Sequence, residues 1–194
     1  MKELKIAHEI EITTTSVLLD GKAIAVEQTG EKMLVELYRC YVGDYPKFFK
    51  MDTLSRLGFI AAELLIKMSE FRNQKSEIRD QQPVDAVILA NRSASIKNDT
   101  DYLATITDGN YYPSPAMFVY TLPNIVTGEI AIRHHIQGET AFYILNSPDE
   151  LKPIIASTLN ANPLTHSPLT ALVGWCECNE PNMFYAKMQL IWNN

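Results

Sequence analysis

The sequence predicts a layered α/β domain, on three observations. Residues 84–90, VDAVILA, form a continuous apolar run of strand length, which suits a central strand covered on both faces. Residues 140–145, TAFYIL, are a second such run, rich in β-branched and aromatic side chains and bounded by Gly138 and Asn146. Segments of helical period lie between and beside these runs, so strands alternate with helices. The 194 residues read as a single domain, 1–194, long enough to bury a real core.

Taken in order, residues 3–13 and 16–27 read as strands. Asp20-Gly21, between VLL and KAIAVE, is a hairpin signal. Leu34 to Tyr41 fits a strand or a short helix. Asp52 or Thr53 caps a helix whose apolar face runs through Leu57, Ile60, Ala61, Leu64 and Leu65. Residues 67–82 are strongly polar, a solvated helix end and loop, and Pro83 stops any helix there. After the strand at 84–90, Asn98 to Thr100 offers a cap for a helix containing Tyr102, Leu103 and Ile106. The stretch from Pro113 to Glu150 then reads as a loop and helix, a turn at Gly138, the run 140–145 and a helix start. Within its helix Ile125, Glu129, Ile132 and Ile136 lie near one another at helical spacing, with Val126, Ile130 and Ala131 beside them, so most of its surface is apolar and the helix reads as buried; Glu129 can pair with Arg133 at i+4. A helix to about Asn160 and a polar connection, NANPLTHSP, lead to the strand LTALVGWCEC. The turn Asn179 to Asn182 and a strand from Met183 to Trp192 complete a hairpin.

The formal net charge of −6 argues against a general affinity for nucleic acid or anionic membrane. No stretch is long and apolar enough to span a bilayer. The segment MKELKIAHEIEI has acidic residues where a signal peptide needs an apolar core, which reads as a cytoplasmic protein. Three cysteines, Cys40, Cys176 and Cys178, fit a reducing compartment and no disulfide framework.

Few residues suggest chemistry. Cys176 and Cys178 are too close for half of a zinc knuckle, and strand alternation puts both thiols on one side as small buried hydrophobes. His134 and His135 are neighbours on a helix, so their rings diverge by roughly 100° and cannot share a metal. No cofactor and no metal is expected. Ser147-Pro148-Asp149-Glu150 reads as a capping box, with serine at N-cap, proline at N1 and glutamate at N3. As a nucleophile Ser147 would need a base within hydrogen-bond reach, and His134, His135 and His166 are the options near it in sequence. Tyr111, Tyr112, Phe118 and Tyr120 read as core packing, with the lining of an acyl or aryl pocket as the functional alternative.

Ser114-Pro115, Asn124, Gly128, Ile130-Ala131-Ile132-Arg133 and Gly138 together resemble the middle of the N-terminal half of a β-ketoacyl synthase, a thiolase-fold condensing enzyme. Lys47, Met51, Ser55, Arg56, Ala61-Ala62 and Ala171-Leu172-Val173-Gly174 occupy comparable places. The resemblance implies a thiolase-like layered α/β domain, the N-terminal half of a ketosynthase, with a mixed central sheet. In that family the strand after the glycine turn ends on the nucleophilic cysteine. Counted from Asn124 and Gly138, that position falls on Ser147. The family's second half supplies two histidines and a lysine, so the resemblance makes this chain a half-ketosynthase with its nucleophile replaced.

Three functions follow as expectations. The first is a non-catalytic partner of an active 3-oxoacyl-[acyl-carrier-protein] synthase in fatty-acid or polyketide-type, aryl-polyene-like biosynthesis. It would shape an acyl tunnel as chain length factors do and help engage acyl carrier protein. The second is an active acyltransferase that uses Ser147 or completes its site by dimerisation. The third is a stand-alone structural or small-molecule-binding domain. The family also pairs the strand before the nucleophile with its twin across a dimer twofold. That implies a homodimer or a heterodimer with a complete ketosynthase, with Phe142 and Ile144 near the interface. The strand has no charge and no proline to blunt an open edge. Loss of the second half is expected to uncover further apolar surface on the helices that normally pack between halves.

Overall fold

The computed structural model describes residues 4–73, 84–109, 112–160, 169–180 and 183–193. Strands β1 (Leu4–Ile12), β2 (Val17–Leu19) and β3 (Lys22–Ala23) form an antiparallel meander. Asp20 and Gly21 turn β2 into β3 with φ of 50° and 74°, the left-handed pair that the Asp-Gly signal predicts. The ambiguous segment settles as helix α1 (Gly30–Tyr41), which buries Met33, Leu34, Leu37 and Tyr38 at helical spacing. A short 3-10 turn, Pro46–Lys50, leads into α2 (Thr53–Asn73). Asp52 caps α2: its Oδ1 accepts the Ser55 N–H at 3.0 Å. Leu57, Ile60, Ala61, Leu64 and Leu65 are all buried, as the period requires.

Strand β4 (Ala86–Asn91) is buried at every residue. Helices α3 (Ile96–Leu103), α4 (Pro115–Val119) and α5 (Ile125–His134) separate it from β5 (Thr140–Ile144). Asn98 does not cap α3. It lies within the helix and donates through Nδ2 to the Met117 carbonyl at 3.0 Å, while Ser95 holds the N-cap position. On α5 Val126, Thr127, Glu129 and Ile130 are buried, as is Ile136 just beyond it, and Ile132 is 63% exposed, so one side of the expected buried helix meets solvent. After β5 a 3-10 turn, Pro148–Glu150, opens α6 (Leu151–Asn160), followed by β6 (Thr170–Glu180) and β7 (Met183–Asn193). Residues 161–168, with most of the expected polar connection, and part of the expected polar loop after α2 lie outside the described residues.

The seven described strands form one mixed sheet in the order β3-β2-β1-β7-β6-β4-β5. β4 runs parallel to β5 and to β6, and the other pairings are antiparallel. The two halves of the sheet follow the two apolar patterns in the sequence. In the antiparallel half residues alternate, with Ile10 and Ile12 in the core and Glu9 and Glu11 half-exposed on the other face. In the parallel half β4 is covered on both faces. The first face packs against α1, α2 and α5. The second packs against α6, where Leu151, Ile155 and Leu159 meet Ile88, Ala90, Val173 and Trp175. Over β1 and β7 the second face is polar, with Lys187 Nζ 3.2 Å from Glu9 Oε1 and Gln189 bonded to the same carboxylate. The outward residues of α6 include Lys152, Pro153 and Ser157, so this helix lacks the expected bare apolar surface.

Candidate functional site

The connections out of β4 and β5 leave on opposite faces of the sheet. α5 returns over the first face and α6 over the second. Adjacent parallel strands whose crossovers diverge open a crevice at their carboxyl ends, the usual ligand position in open α/β sheets. Ser147 lies at that end of β5. The Leu145 N–H still donates to the Asn91 carbonyl at 2.9 Å, and two residues later the chain turns into α6.

Ser147 has the extended backbone of an N-cap, φ −150° and ψ 157°, but its hydroxyl caps nothing. Its carbonyl accepts the Glu150 N–H at 3.2 Å, and the Glu150 carboxylate reaches back to the Asn146 N–H at 3.5 Å rather than to Ser147. Neither of the two reciprocal side-chain bonds of the expected capping box is therefore made. Pro148 drives a tight 3-10 first turn, and that geometry moves the serine oxygen out of line with the helix N–H groups.

The loop after β4 leaves from the same end of the sheet, and the sequence marks it only as a loop. Asn91 is fully buried and clasps Ala94: Nδ2 donates to its carbonyl and Oδ1 accepts its N–H, each at 2.8 Å. Ala94 is held at φ 51°, an unfavourable region for alanine. Glu177 on β6 accepts the Arg92 N–H at 2.9 Å and the Ser93 hydroxyl, and Ser93 also lies 2.6 Å from Asn179 Oδ1. The loop is thus pinned from two sides. Asn91 at the end of the apolar strand run, able to bond the chain that follows it, was the available signal.

The sequence-predicted bases do not gather at Ser147. His134 and His135 end α5, at the amino end of β5, so the length of the strand, roughly 17 Å, separates them from Ser147. His134 Nε2 instead sits 2.9 Å from Glu63 Oε1, without the alignment of a hydrogen bond. His135 is exposed at φ 54° as the α5 C-cap, so the two rings do diverge. His8 is buried and bonds Asp20 at 2.7 Å. His166 lies outside the described residues. Among the described residues Ser147 has no hydroxyl partner and no neighbouring histidine contact.

The remaining candidates resolve as structure. Cys176 and Cys178 share the first face, buried and free. Burial pushes the Cys178 thiol up to about 12 and the Cys176 thiol higher still, so neither is a thiolate nucleophile at neutral pH. Glu129 does not pair with Arg133. Lys47 reaches it at 2.6 Å and the Tyr45 hydroxyl donates to it at 3.2 Å, while Arg133 bonds Asp44 and Glu63. Of the described members of the aromatic group only Tyr120 is packed away. Tyr112 is 90% exposed, Phe118 stands out from α4 against Tyr102, and Tyr111 lies outside the described residues. Leu103, Val119 and Leu122 extend this exposed apolar surface along α3 and α4. Phe142 is half-buried against the first-face core, and Ile144 is 60% exposed on β5. No group of three or more possible metal ligands forms among the described residues, and no described helix is long and apolar enough to cross a membrane.

No family model matches the sequence, and no curated protein matches it. Solved structures do match the fold. The whole chain superposes on 80% of a chain from the ketosynthase ApeO in complex with its chain length factor ApeC, from Xenorhabdus doucetiae, with a TM-score of 0.60 and 14% identity. With 98% of its length it matches 62% of a chain of the ishigamide ketosynthase/chain length factor, with a TM-score of 0.65 and 14% identity. It thus spans less than two thirds of that second chain. These likenesses show the fold: a mixed α/β architecture shared with ketosynthase and chain-length-factor chains.

Proposed function

We propose that this chain is a non-catalytic ketosynthase-like subunit of fatty-acid or polyketide-type acyl-chain biosynthesis. It works beside an active 3-oxoacyl-[acyl-carrier-protein] synthase as a chain length factor does, and it associates through β5. The observation that carries the reading is the state of Ser147. This residue lies just past the carboxyl end of β5, yet its hydroxyl has no base among the described residues. A serine so placed is a weak nucleophile. The exposed apolar side chains of α3 and α4 and the open edge at Ile144 further support a partner-bound subunit.

The test pairs chemistry with association. Incubated with malonyl- and acyl-carrier proteins, the chain alone is expected to show no turnover and no acyl adduct by intact mass. Co-expressed with a complete ketosynthase of the same pathway, it is expected to co-purify. An adduct that disappears in Ser147→Ala would replace this reading with an acyltransferase. Failure to associate with any ketosynthase would leave a stand-alone domain.

A further inference from the structure

The first face of the sheet is sealed by α1, α2 and α5, whereas among the described residues α6 covers only the parallel half of the second. The rest of the second face is built on β1 and β7. Directly opposed residues of an antiparallel pair share a face of the sheet. Glu9 therefore stands beside Gln189, and Glu11 beside Lys187, in one block of four neighbouring positions. Lys187 Nζ crosses the block to Glu9 Oε1 at 3.2 Å, and Gln189 Nε2 donates to the other oxygen of the same carboxylate. All four side chains are half-exposed. Ile6, opposite Ile191, and Leu18, opposite Glu11, are apolar and exposed on this face, but Glu9 and Glu11 lie between them and break the patch. α6 repeats the pattern. Leu151, Ile155 and Leu159 point at the sheet, while Lys152, Pro153 and Ser157 are exposed on the other side, with Lys152 Nζ 2.8 Å from Asp149. A helix buried between two layers is apolar all round, and α6 is not.

The core of a lasting interface is depleted of charge, and an ion pair taken out of water loses hydration that its mutual attraction does not readily return. We infer that the second face is a solvent face in the working protein: neither a second copy of this chain nor the ketosynthase partner stacks on α6 or on the Glu9–Lys187 block. For the ketosynthase this rests on the function proposed above; for a second copy it does not. The chain is a two-layer subunit, and its partner sits on an edge or on the helices of the first face. The head of α6 stays wet as well, since Asn146, Pro148, Asp149 and Glu150 are all exposed around Ser147. An acyl group carried there would be open to hydrolysis.

Thiol labelling reads the face directly, in a Cys40→Ser background that removes the exposed native thiol and leaves Cys176 and Cys178 buried. Ser157→Cys and Glu11→Cys report on the second face, and Ile144→Cys on the edge of β5. Maleimide labelling is followed by intact mass for the chain alone, from low to high micromolar concentration, and for the complex co-purified with a complete ketosynthase. Both second-face thiols are expected to label at rates that change by less than about twofold across these conditions, whereas Ile144→Cys should slow by about tenfold or more in the complex. Slowing of either second-face thiol by about tenfold, on concentration or in the complex, would overturn the inference. Ser157→Arg puts a long charged side chain on the same face and is expected to leave co-purification intact. Association lost in that variant, with an unchanged circular dichroism spectrum, would overturn it too. Failure to co-purify with any ketosynthase would sink the function proposed above, and the labelling of the chain alone would still decide whether copies stack on this face.

Discussion

Ser147 and Asp52 occupy the same position at the heads of two helices, and only one of them bonds its helix. The Asp52 carboxylate accepts a helix N–H, whereas the Ser147 hydroxyl accepts none. Ser147→Ala is therefore expected to change stability by less than about 0.5 kcal/mol, and Asp52→Ala to cost about 1 kcal/mol, in urea denaturation. A larger loss at Ser147 would show that its oxygen bonds the helix after all. Two glycines of the resembling motif separate in the same way. A Cβ at Gly138 would stand 1.9 Å from the Asp85 carbonyl oxygen, and one at Gly128 would meet nothing within 4 Å. Gly138→Ala should cost roughly 1–3 kcal/mol through backbone displacement. Gly128→Ala, inside a helix, should gain roughly 0.5–1 kcal/mol. Thermal melts of both variants check the sign.

Helices α2 and α5 are held to the segment between α1 and α2 by charges rather than by apolar contact alone. Glu63 is 1% exposed on α2 and faces Arg133 and His134 on α5, and Arg133 also bonds Asp44. Burial by itself raises the Glu63 carboxyl. His134 and then Arg133 outweigh it and hold it below the usual carboxylate value of 4.5. A carboxyl held low in the folded state stabilises the fold above its unfolded value. That contribution is lost as pH falls through the folded value. Stability should therefore drop in the acid range below about pH 4.5. Glu63→Gln should flatten that drop in urea titrations at stepped pH. An unchanged acid limb would assign the loss to other carboxyls.

At the scale of the molecule, one sheet has two ends with opposite chemistry and two halves with opposite coverage. The β3 end is short and carries a lysine, and the β5 end pairs with no further described strand and is apolar. Ile144→Lys puts a charge on the open end at a 60% exposed position, away from the core. It should abolish association in sedimentation velocity while leaving the circular dichroism spectrum and melting temperature close to wild type. Association that survives the lysine would place the interface elsewhere, with the exposed side chains of α3 and α4 the next surface to vary.

The strands and buried helices were legible in the sequence because their signals are local. The run at 84–90, the alternation of Glu9, Ile10, Glu11 and Ile12, and Asp20-Gly21 each determine backbone geometry or burial from neighbours in the chain. The position of Ser147 at a strand end was legible for the same reason. Its missing hydroxyl bond was not, because a 3-10 first turn and the reach of Glu150 decide it in three dimensions. Arg133 belongs to Asp44 and Glu63 rather than to Glu129 because residues 70 and 89 positions away arrive closer than the one four away. Which end of the sheet stays open was likewise settled only when β4 took β6 on one side and β5 on the other. Periodicity specifies which face of an element is buried, and only packing specifies which element does the burying.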